Sequence, residues 1–251
     1  MSSSTDINKG HYNHIYANDI NYKYKTNTRY QRYLVECIEN YIEDPNNIKS
    51  LLDIGCGQGL NTVLFANDFP KADIVGIDLS DIGIGYARKK WGGYGTVRFE
   101  CGNIMDKDYS KEKYDIVTAF ELLEHIEDWK SIAETMCKVA QKYIIVSSPI
   151  GKMRAYETYH GHYRNYQIGE LEEFFEDHGF RTLKTYYAGF PFWSPITRNL
   201  LNILPGDSTA AQDHLTIFNK LISLVLYYLY RYCSTKNKRG DQFMGLFQKI
   251  C

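Results

Sequence analysis

Apolar strand-like segments alternate with helical segments along the first 150 residues, and this alternation constrains the fold more than any other feature. Five segments have the composition of short buried strands: residues 50–54, 72–77, 96–100, 114–119 and 142–147. Three of their connections contain predicted helices, at residues 60–68, 80–90 and 129–139. Strands connected through helices form βαβ units, in which the strands lie parallel in one sheet. We therefore predict an α/β fold with a mostly parallel sheet and helices on both faces.

The segments outside this alternation extend the same domain. They are a helix at 29–43, a helix at 168–178, a strand at 180–187 and a strand at 241–250. The last two strands are separated by an insertion, residues 189–240, which contains one strongly apolar helix at 215–232. Residues 1–27 show no clean period and are expected to form an irregular arm. We expect residues 1–251 to form a single domain.

The bulk composition narrows the class of partner. The 251 residues include 29 basic and 30 acidic side chains, which gives a formal net charge of −1. Such a balance gives no general attraction to nucleic-acid backbones or anionic membranes, so no nucleic-acid partner is expected. The longest apolar run, residues 221–230, is far shorter than the roughly 20 residues that span a bilayer. A polar start and six cysteines without Cys-x-x-Cys spacing favour a cytoplasmic location without a membrane span.

A glycine-rich segment follows the first strand and is the strongest indication of a ligand. It reads Leu51-Leu-Asp-Ile-Gly-Cys-Gly-Gln-Gly-Leu60, with Asp53 near the strand end and glycines at 55, 57 and 59. Glycine permits a sharp turn and the close approach of a ligand to the backbone. Asp78 ends the second strand, where a carboxylate can accept both hydrogen bonds of a ribose diol. The alternatives are a turn without a ligand and a dinucleotide site, although the dinucleotide pattern Gly-x-Gly-x-x-Gly differs from the Gly-x-Gly-x-Gly found here.

Four motifs, in order along the chain, resemble those of class I S-adenosylmethionine (SAM) dependent methyltransferases. They are residues 53–59, 76–80, 102–106 and 114–125. The resemblance implies a Rossmann-like sheet of seven strands, with the last strand antiparallel and inserted between the fifth and the sixth. It also implies that Asp78 binds the ribose, and that Asn103, where the family more often has Asp, binds the adenine amino group. The implied SAM site comprises Asp53, Gly55, Cys56, Gly57, Gly59, Asp78, Leu79, Asn103, Ile104, Phe120 and Glu121.

The motifs on the acceptor side favour a small molecule. After the fourth strand the chain reads Phe120-Glu-Leu-Leu, not the Asn/Asp-Pro-Pro-aromatic motif of nucleic-acid amino methyltransferases. Glu124-His125 and His162-Tyr-Arg-Asn-Tyr166 resemble motifs of quinone-pathway and polysaccharide-cluster methyltransferases. That resemblance implies methyl transfer to an oxygen of a sugar, a phosphate-type group or another metabolite, in surface-polysaccharide or secondary metabolism. His125 itself is expected to be structural, bonding across the turn after the fourth strand.

Candidate catalytic residues follow the fifth strand, on the side where open α/β sheets bind ligands. His160 and His162 are the candidate general bases, because imidazole titrates near neutrality. The candidate acceptor contacts are Arg154, Tyr159, Arg164 and Trp193. The two arginines would suit an anionic acceptor, which needs no base. The two histidines would supply half of a metal site, but no third ligand is evident in the sequence, so no metal is expected.

Two other functions are compatible with the sequence. A dinucleotide-dependent oxidoreductase would have the same fold, and a catalytically silent SAM-binding protein would act through partners on the aromatic 190–232 region. The apolar helix of the insertion at 189–240 must be covered by something, so it would pack on the core, cover the acceptor or form a homodimer contact.

Overall fold

The computed structural model describes residues 9–10, 12–13, 16, 26–106, 112–202, 217–236 and 239–250. One sheet contains the strands β1 (Ser50–Ile54), β2 (Asp73–Asp78), β3 (Val97–Cys101), β4 (Tyr114–Phe120), β5 (Ala140–Pro149), β6 (Phe180–Ala188) and β7 (Gln242–Lys249). Their order across the sheet is β3-β2-β1-β4-β5-β7-β6. The first five strands pair in parallel, whereas β7 is antiparallel to both β5 and β6. The predicted Rossmann-like sheet, including the place of its last strand, is confirmed.

Helices cover both faces of the sheet. Those in the described ranges are α1 (Thr26–Glu39), α2 (Leu60–Asp68), α3 (Asp81–Trp91), α4 (Trp129–Val139), α5 (Ala155–Tyr159), α6 (Glu170–Asp177), α7 (Arg198–Leu201) and α8 (Ile217–Cys233). The apolar faces of α1, α2 and α3 pack on one side of the sheet, and those of α4 and α6 pack on the other. Because the sheet is covered on both sides, its strands read as near-continuous apolar runs, which is typical of parallel sheets.

Helix α3 shows how local sequence fixes an element beside the site. Its first turn is capped by Ser80, whose side-chain oxygen accepts the N–H of Gly83 at 3.0 Å. Ile84 and Ala87, three residues apart, bury one face of the helix against the sheet. Full burial of a side chain such as that of Ile84 contributes about 1.5–3 kcal/mol. The N-terminus of α3 is therefore held directly after Asp78.

The structure differs most from the sequence prediction in the bounds of two elements. The first helix was expected at residues 29–43, but α1 begins at Thr26 and ends at Glu39. Beyond α1 the chain turns towards Pro45, and Asp44 adopts a left-handed conformation with φ 47°. Strand β5 is longer than the predicted 142–147, because β7 pairs with it as far as Pro149.

The apolar helix of the insertion packs on the N-terminal helix. Rings of Tyr30 in α1 and Tyr230 in α8 meet edge to face at 5.6 Å, and the hydroxyls of Thr26 and Ser223 are 3.0 Å apart. The predicted helix at 215–232 is observed from Ile217 to Cys233, and its first two predicted residues lie outside the described ranges. Of the expected arm at 1–27, the described residues 9–10, 12–13, 16 and 26–27 are helical. Within the described part of the chain, no helix combines the length and the apolar character needed to cross a bilayer.

Candidate active site

Three glycines shape the loop after β1. Gly55, Gly57 and Gly59 have φ values of 73°, 53° and 78°, a left-handed region that favours glycine. A Cβ on Gly57 would lie 2.5 Å from the hydroxyl oxygen of Tyr16, and one on Gly59 would lie 2.5 Å from the ring of Phe99. These positions therefore require glycine for two reasons, the backbone conformation and the closeness of a neighbouring side chain.

Asp53 anchors this loop from inside the sheet. The side chain is 2% exposed and accepts hydrogen bonds from the hydroxyls of Thr62 at 2.7 Å and Thr118 at 2.8 Å. Burial raises the pKa of Asp53 to about 6, and the two hydroxyl bonds act in the opposite direction. Asp53 thus ties the end of β1 to α2 and β4, which fixes the glycine loop between them.

Asp78 holds the other side of the loop. One carboxylate oxygen accepts the N–H of Gly57 and the other accepts the N–H of Ser80, both at 2.8 Å. Burial raises the pKa of Asp78, while these two backbone N–H groups lower it. Each oxygen of a carboxylate can accept more than one hydrogen bond. Asp78 therefore keeps acceptor capacity for the hydroxyls of a ligand.

Two adjoining cavities open along the carboxyl ends of the central strands. The first has about 670 Å³ of empty volume, and the second has about 1200 Å³. The predicted SAM residues that line the first are Gly55, Asp78, Leu79, Asn103, Ile104 and Glu121. Those that line the second are Asp53, Gly55, Cys56, Gly57, Phe120 and Glu121. Of the eleven residues in the predicted SAM site, Gly59 alone lines neither, because it packs against Phe99.

Glu121 lies where the two cavities meet. Its backbone has a positive φ of 49°, which is uncommon for a residue other than glycine and is concentrated at functional sites. One oxygen of its carboxylate accepts hydrogen bonds from Ser147 and Gln242, both at 2.8 Å. Burial raises the pKa of Glu121 against the effect of these bonds. These bonds fix the carboxylate against β5 and β7, and the residue lines both cavities.

The N-terminal arm contributes residues that the sequence analysis did not place at the site. Tyr12 and Tyr16 line both cavities, and their rings stack at 5.9 Å. The arm is attached through Asn13, whose side chain bonds to Ser80 and to Asp81. The sequence signal was weak but present, because tyrosines four residues apart share one face of a helix.

His162 is brought against the turn that follows β4. Its ring meets that of His125 edge to face at 4.4 Å, while the N–H of Tyr163 donates to the carbonyl of Glu124 at 2.8 Å. Burial lowers the pKa of His162 to about 4, so the imidazole is neutral at pH 7. Both His160 and His162 line the second cavity. The histidine whose ring contacts that of His162 is thus His125, for which only a structural role in the turn after β4 was expected.

Comparison with known proteins agrees with this geometry. A sequence model described as a methyltransferase domain matches residues 45–184. This chain belongs to the methyltransferase domain family. The predicted family and fold are thereby confirmed, together with SAM as the cofactor.

Individual relatives match this chain over only part of its length. A malonyl-[acyl-carrier protein] O-methyltransferase of Ilyobacter polytropus is 28% identical over 102 residues, which are 41% of this chain and 39% of that protein. A ubiquinone biosynthesis O-methyltransferase of Actinobacillus pleuropneumoniae is 33% identical over 100 residues, 38% of this chain and 42% of that protein. The match therefore spans about two fifths of the length of these curated relatives.

Solved structures share the fold at low identity. Magnesium protoporphyrin IX methyltransferase from Synechocystis PCC 6803 with bound SAM superposes with a TM-score of 0.55 at 17% identity, covering 74% of this chain and 90% of that one. The [4+2]-cyclase SpnF superposes with a TM-score of 0.59 at 17% identity, covering 87% of this chain and 81% of that one. The fold is thus shared with a protein that is named as a cyclase, so the fold alone does not identify the reaction.

The four residues that were predicted to contact the acceptor lie outside the two cavities. Neither cavity is lined, among the described residues, by Arg154, Tyr159, Arg164 or Trp193. The guanidinium of Arg154 bonds to Asn199 and Asp241, and that of Arg164 donates to the carbonyl of Glu127. Trp193 is 8% exposed and packs beside Tyr230. Basic and aromatic side chains that suggested ligand binding therefore hold the insertion and the loop after β5 in place.

A buried ion pair that the sequence did not reveal connects the insertion to that loop. Arg198 is 1% exposed, and its Nε donates to Glu157 at 3.0 Å while its Nη1 donates to Asp241 at 2.8 Å. The other carboxylate oxygen of Glu157 accepts the amide of Asn165, and its backbone carbonyl accepts the N–H of His162. The position of His162 thus depends on a residue of the insertion.

Proposed function

We propose that this protein transfers the methyl group of SAM to a hydroxyl oxygen of a small polar acceptor. The observation that carries the proposal is the meeting of the two cavities. They share Tyr12, Tyr16, Gly55, Glu121 and His125 in their linings. The lining of the first cavity also includes Asp78 and Asn103, and that of the second includes the candidate bases His160 and His162. The proposed cofactor site is therefore continuous with the proposed acceptor site.

The first cavity and the glycine loop fit SAM. Asp78 has acceptor capacity for the ribose hydroxyls, Asn103 lies on the adenine side, and Glu121 lies towards the methionine end. Bound SAM supplies a methyl group that is already activated by its sulfonium. The protein's own task is then to position the acceptor and to receive its proton.

The second cavity suits a neutral hydroxylated acceptor such as a sugar or a phenol. Its lining includes the amide side chains of Gln31, Gln58 and Asn61. The side-chain oxygen Oδ1 of Asn61 is buried without a hydrogen-bond partner. His162 is neutral at pH 7 and can accept a proton from a hydroxyl, with His160 as the second candidate base. An anionic, phosphate-type acceptor is less well supported, because Arg154 and Arg164 already bond to protein groups. A place in surface-polysaccharide or secondary metabolism fits this acceptor chemistry.

The experiment is an acceptor screen with purified protein. SAM is incubated with sugar nucleotides, phenols and phosphorylated metabolites, and the formation of S-adenosylhomocysteine is measured. We expect turnover with a neutral hydroxylated acceptor, and its loss in His162→Ala with SAM affinity retained. Turnover that is confined to phosphorylated acceptors and survives in both His160→Ala and His162→Ala would contradict the proposal. SAM binding without turnover on any acceptor would favour the silent SAM-binding alternative, and the family match already goes against the oxidoreductase.

We also propose that the insertion at 189–240 forms a homodimer contact. Helix α8 uses one face against α1, and the rest of the helix leaves six large apolar side chains exposed: Ile217, Leu221, Ile222, Val225, Tyr228 and Tyr232. Contiguous exposed apolar surface of this kind is typical of interaction sites. Sedimentation analysis should give twice the chain mass, and Leu221→Glu with Val225→Glu should return the monomer while SAM binding persists. A wild-type monomer would leave the insertion as a cover for the acceptor side of the domain.

A further inference from the structure

Glu124, His125 and His162 form a histidine–carboxylate cluster beside the second cavity. The potential ligand atoms of the three side chains all lie within 4.8 Å of one another. Glu124 and His125 belong to a single helical turn after β4, Leu123–His125, and the Tyr163 N–H that bonds to Glu124 draws His162 against it. Two of the three, His125 and His162, line the cavity in which we place the acceptor.

Two buried polar atoms of the cluster, one in Glu124 and one in His162, have no hydrogen-bond partner. Glu124 is 0% exposed, and although one carboxylate oxygen accepts the hydroxyl of Ser148 at 3.0 Å, the other, Oε1, has no hydrogen-bond partner. The Nδ1 atom of His162 is likewise buried without a partner. Leaving such groups unpaired costs about 1–3 kcal/mol each, so each requires a physical explanation. A direct bond to the neighbouring histidine does not provide it, because Oε1 of Glu124 lies 3.9 Å from Nε2 of His125.

The donor set matches a metal that prefers nitrogen and oxygen. Two imidazoles and one carboxylate are the protein ligands of many zinc sites that keep a position open for substrate or water. Atoms bonded to one zinc ion at 2.0–2.2 Å in tetrahedral geometry are about 3.3–3.6 Å apart. Because the three separations are no more than 4.8 Å, binding would draw the atoms together by at most about 1.5 Å, which rotation of the side chains can supply.

We propose that Glu124, His125 and His162 bind a divalent cation of the zinc type at the edge of the second cavity, with an open coordination position towards the acceptor. The site differs from the sequence expectation, which found no third ligand because it paired His162 with His160. The existence of the site rests on the geometry of the cluster. Its role in holding an acceptor oxygen rests on the proposed methyl transfer, in which His160 would then receive the acceptor's proton, because a metal-bound imidazole has no free lone pair to accept it.

The test measures metal binding directly. The full chain is stripped with a chelator and titrated with Zn²⁺ by calorimetry, and with Co²⁺ by visible absorption, which reports the ligand type and the coordination geometry. We expect one high-affinity ion per chain with nitrogen and oxygen ligands. Glu124→Gln and His162→Gln should weaken binding by more than about tenfold, the smallest effect expected when a metal ligand or its support is lost. His160→Gln is the matched control, because it lies on the same loop outside the cluster and should retain wild-type affinity.

Folding and function are followed in the same samples. Thermal melting and SAM affinity identify any variant that has lost its fold, and His125→Gln provides a second way to remove a ligand. Absence of a stoichiometric ion, binding by thiolates as reported by the Co²⁺ spectrum, or equal affinity in Glu124→Gln and wild type would each overturn the site. Methyl transfer that persists without metal binding would refute the site and leave the proposed function standing. Metal binding without methyl transfer to any acceptor would support the site and refute the function.

Discussion

Replacing Asp78 with asparagine tests the carboxylate that we assign to the ribose of SAM. Its two oxygens already accept the N–H groups of Gly57 and Ser80 at 2.8 Å, and the residue lines the first cavity. Asparagine has nearly the same shape, but its NH₂ group cannot accept a hydrogen bond. Whichever way the amide turns, one backbone N–H loses its acceptor, and the ribose loses one bond to a charged group.

The size of the effect follows from those lost bonds. A hydrogen bond to a charged group contributes about 1.5–3 kcal/mol, and each 1.4 kcal/mol is a factor of ten in affinity. We therefore expect the Kd for SAM to rise about 10- to 150-fold in Asp78→Asn. The lost backbone bond belongs to the loop itself, so it should lower the melting temperature of the ligand-free protein.

Calorimetric titration with SAM and with S-adenosylhomocysteine measures the first effect, and thermal melting measures the second. Asp73→Asn is the matched control, because Asp73 is exposed at the opposite end of the same strand and should leave both quantities unchanged. A folded Asp78→Asn protein with wild-type affinity for SAM would refute the ribose assignment. If its melting temperature fell at the same time, Asp78 would serve the loop alone.

Three further predictions follow from other buried groups. His162→Ala should lower turnover on a neutral hydroxyl acceptor by about 10²–10⁴, with SAM affinity unchanged by calorimetry; a loss of less than tenfold would remove His162 as the base. Burial raises the pKa of Glu39 to about 8, so its stabilising contribution is present below its unfolded value of 4.5 and is lost as the pH rises through 8. Glu39→Gln should therefore be as stable as wild type near pH 4 but more stable by up to about 5 kcal/mol at pH 9, measured by urea unfolding; equal pH profiles would contradict the shift. Arg198→Met should cost about 3–5 kcal/mol in the same assay because it leaves Glu157 buried and unpaired, and adding Glu157→Gln should restore part of that loss; two additive losses would show that the ion pair is not the cause.

Local sequence was sufficient for the sheet and for the glycine loop with the carboxylate beside it. Apolar runs and the helices between them identified the strands within about two residues, because a parallel sheet covered on both faces leaves a strong local signal. The glycines at 55, 57 and 59 and the acid at 78 were found in the same way, since each is required by its own backbone position.

The acceptor half depends on contacts between distant parts of the chain, and these leave no local pattern. The meeting of His162 with Glu124 requires the loop after β5 to return to the turn after β4, through the hydrogen bond from Tyr163 to Glu124. Arg154 bonds to Asp241, and Trp193 is buried. The sequence alone does not distinguish an arginine in an ion pair, or a tryptophan in a core, from one that contacts a ligand. Single-sequence reasoning cannot separate the two roles before the tertiary contacts are known.

The tyrosines of the N-terminal arm have a thermodynamic consequence. Tyr12 and Tyr16 belong to the linings of both cavities, so a ligand in either one contacts the same short helical segment. The two ligands would therefore share the contact with these two rings, and a shift of the rings towards one ligand would be felt by the other. Binding of the cofactor should therefore change the affinity for the acceptor, and the coupling must have the same magnitude in either order of addition. The arm thereby makes the occupancy of one cavity sensitive to the occupancy of the other.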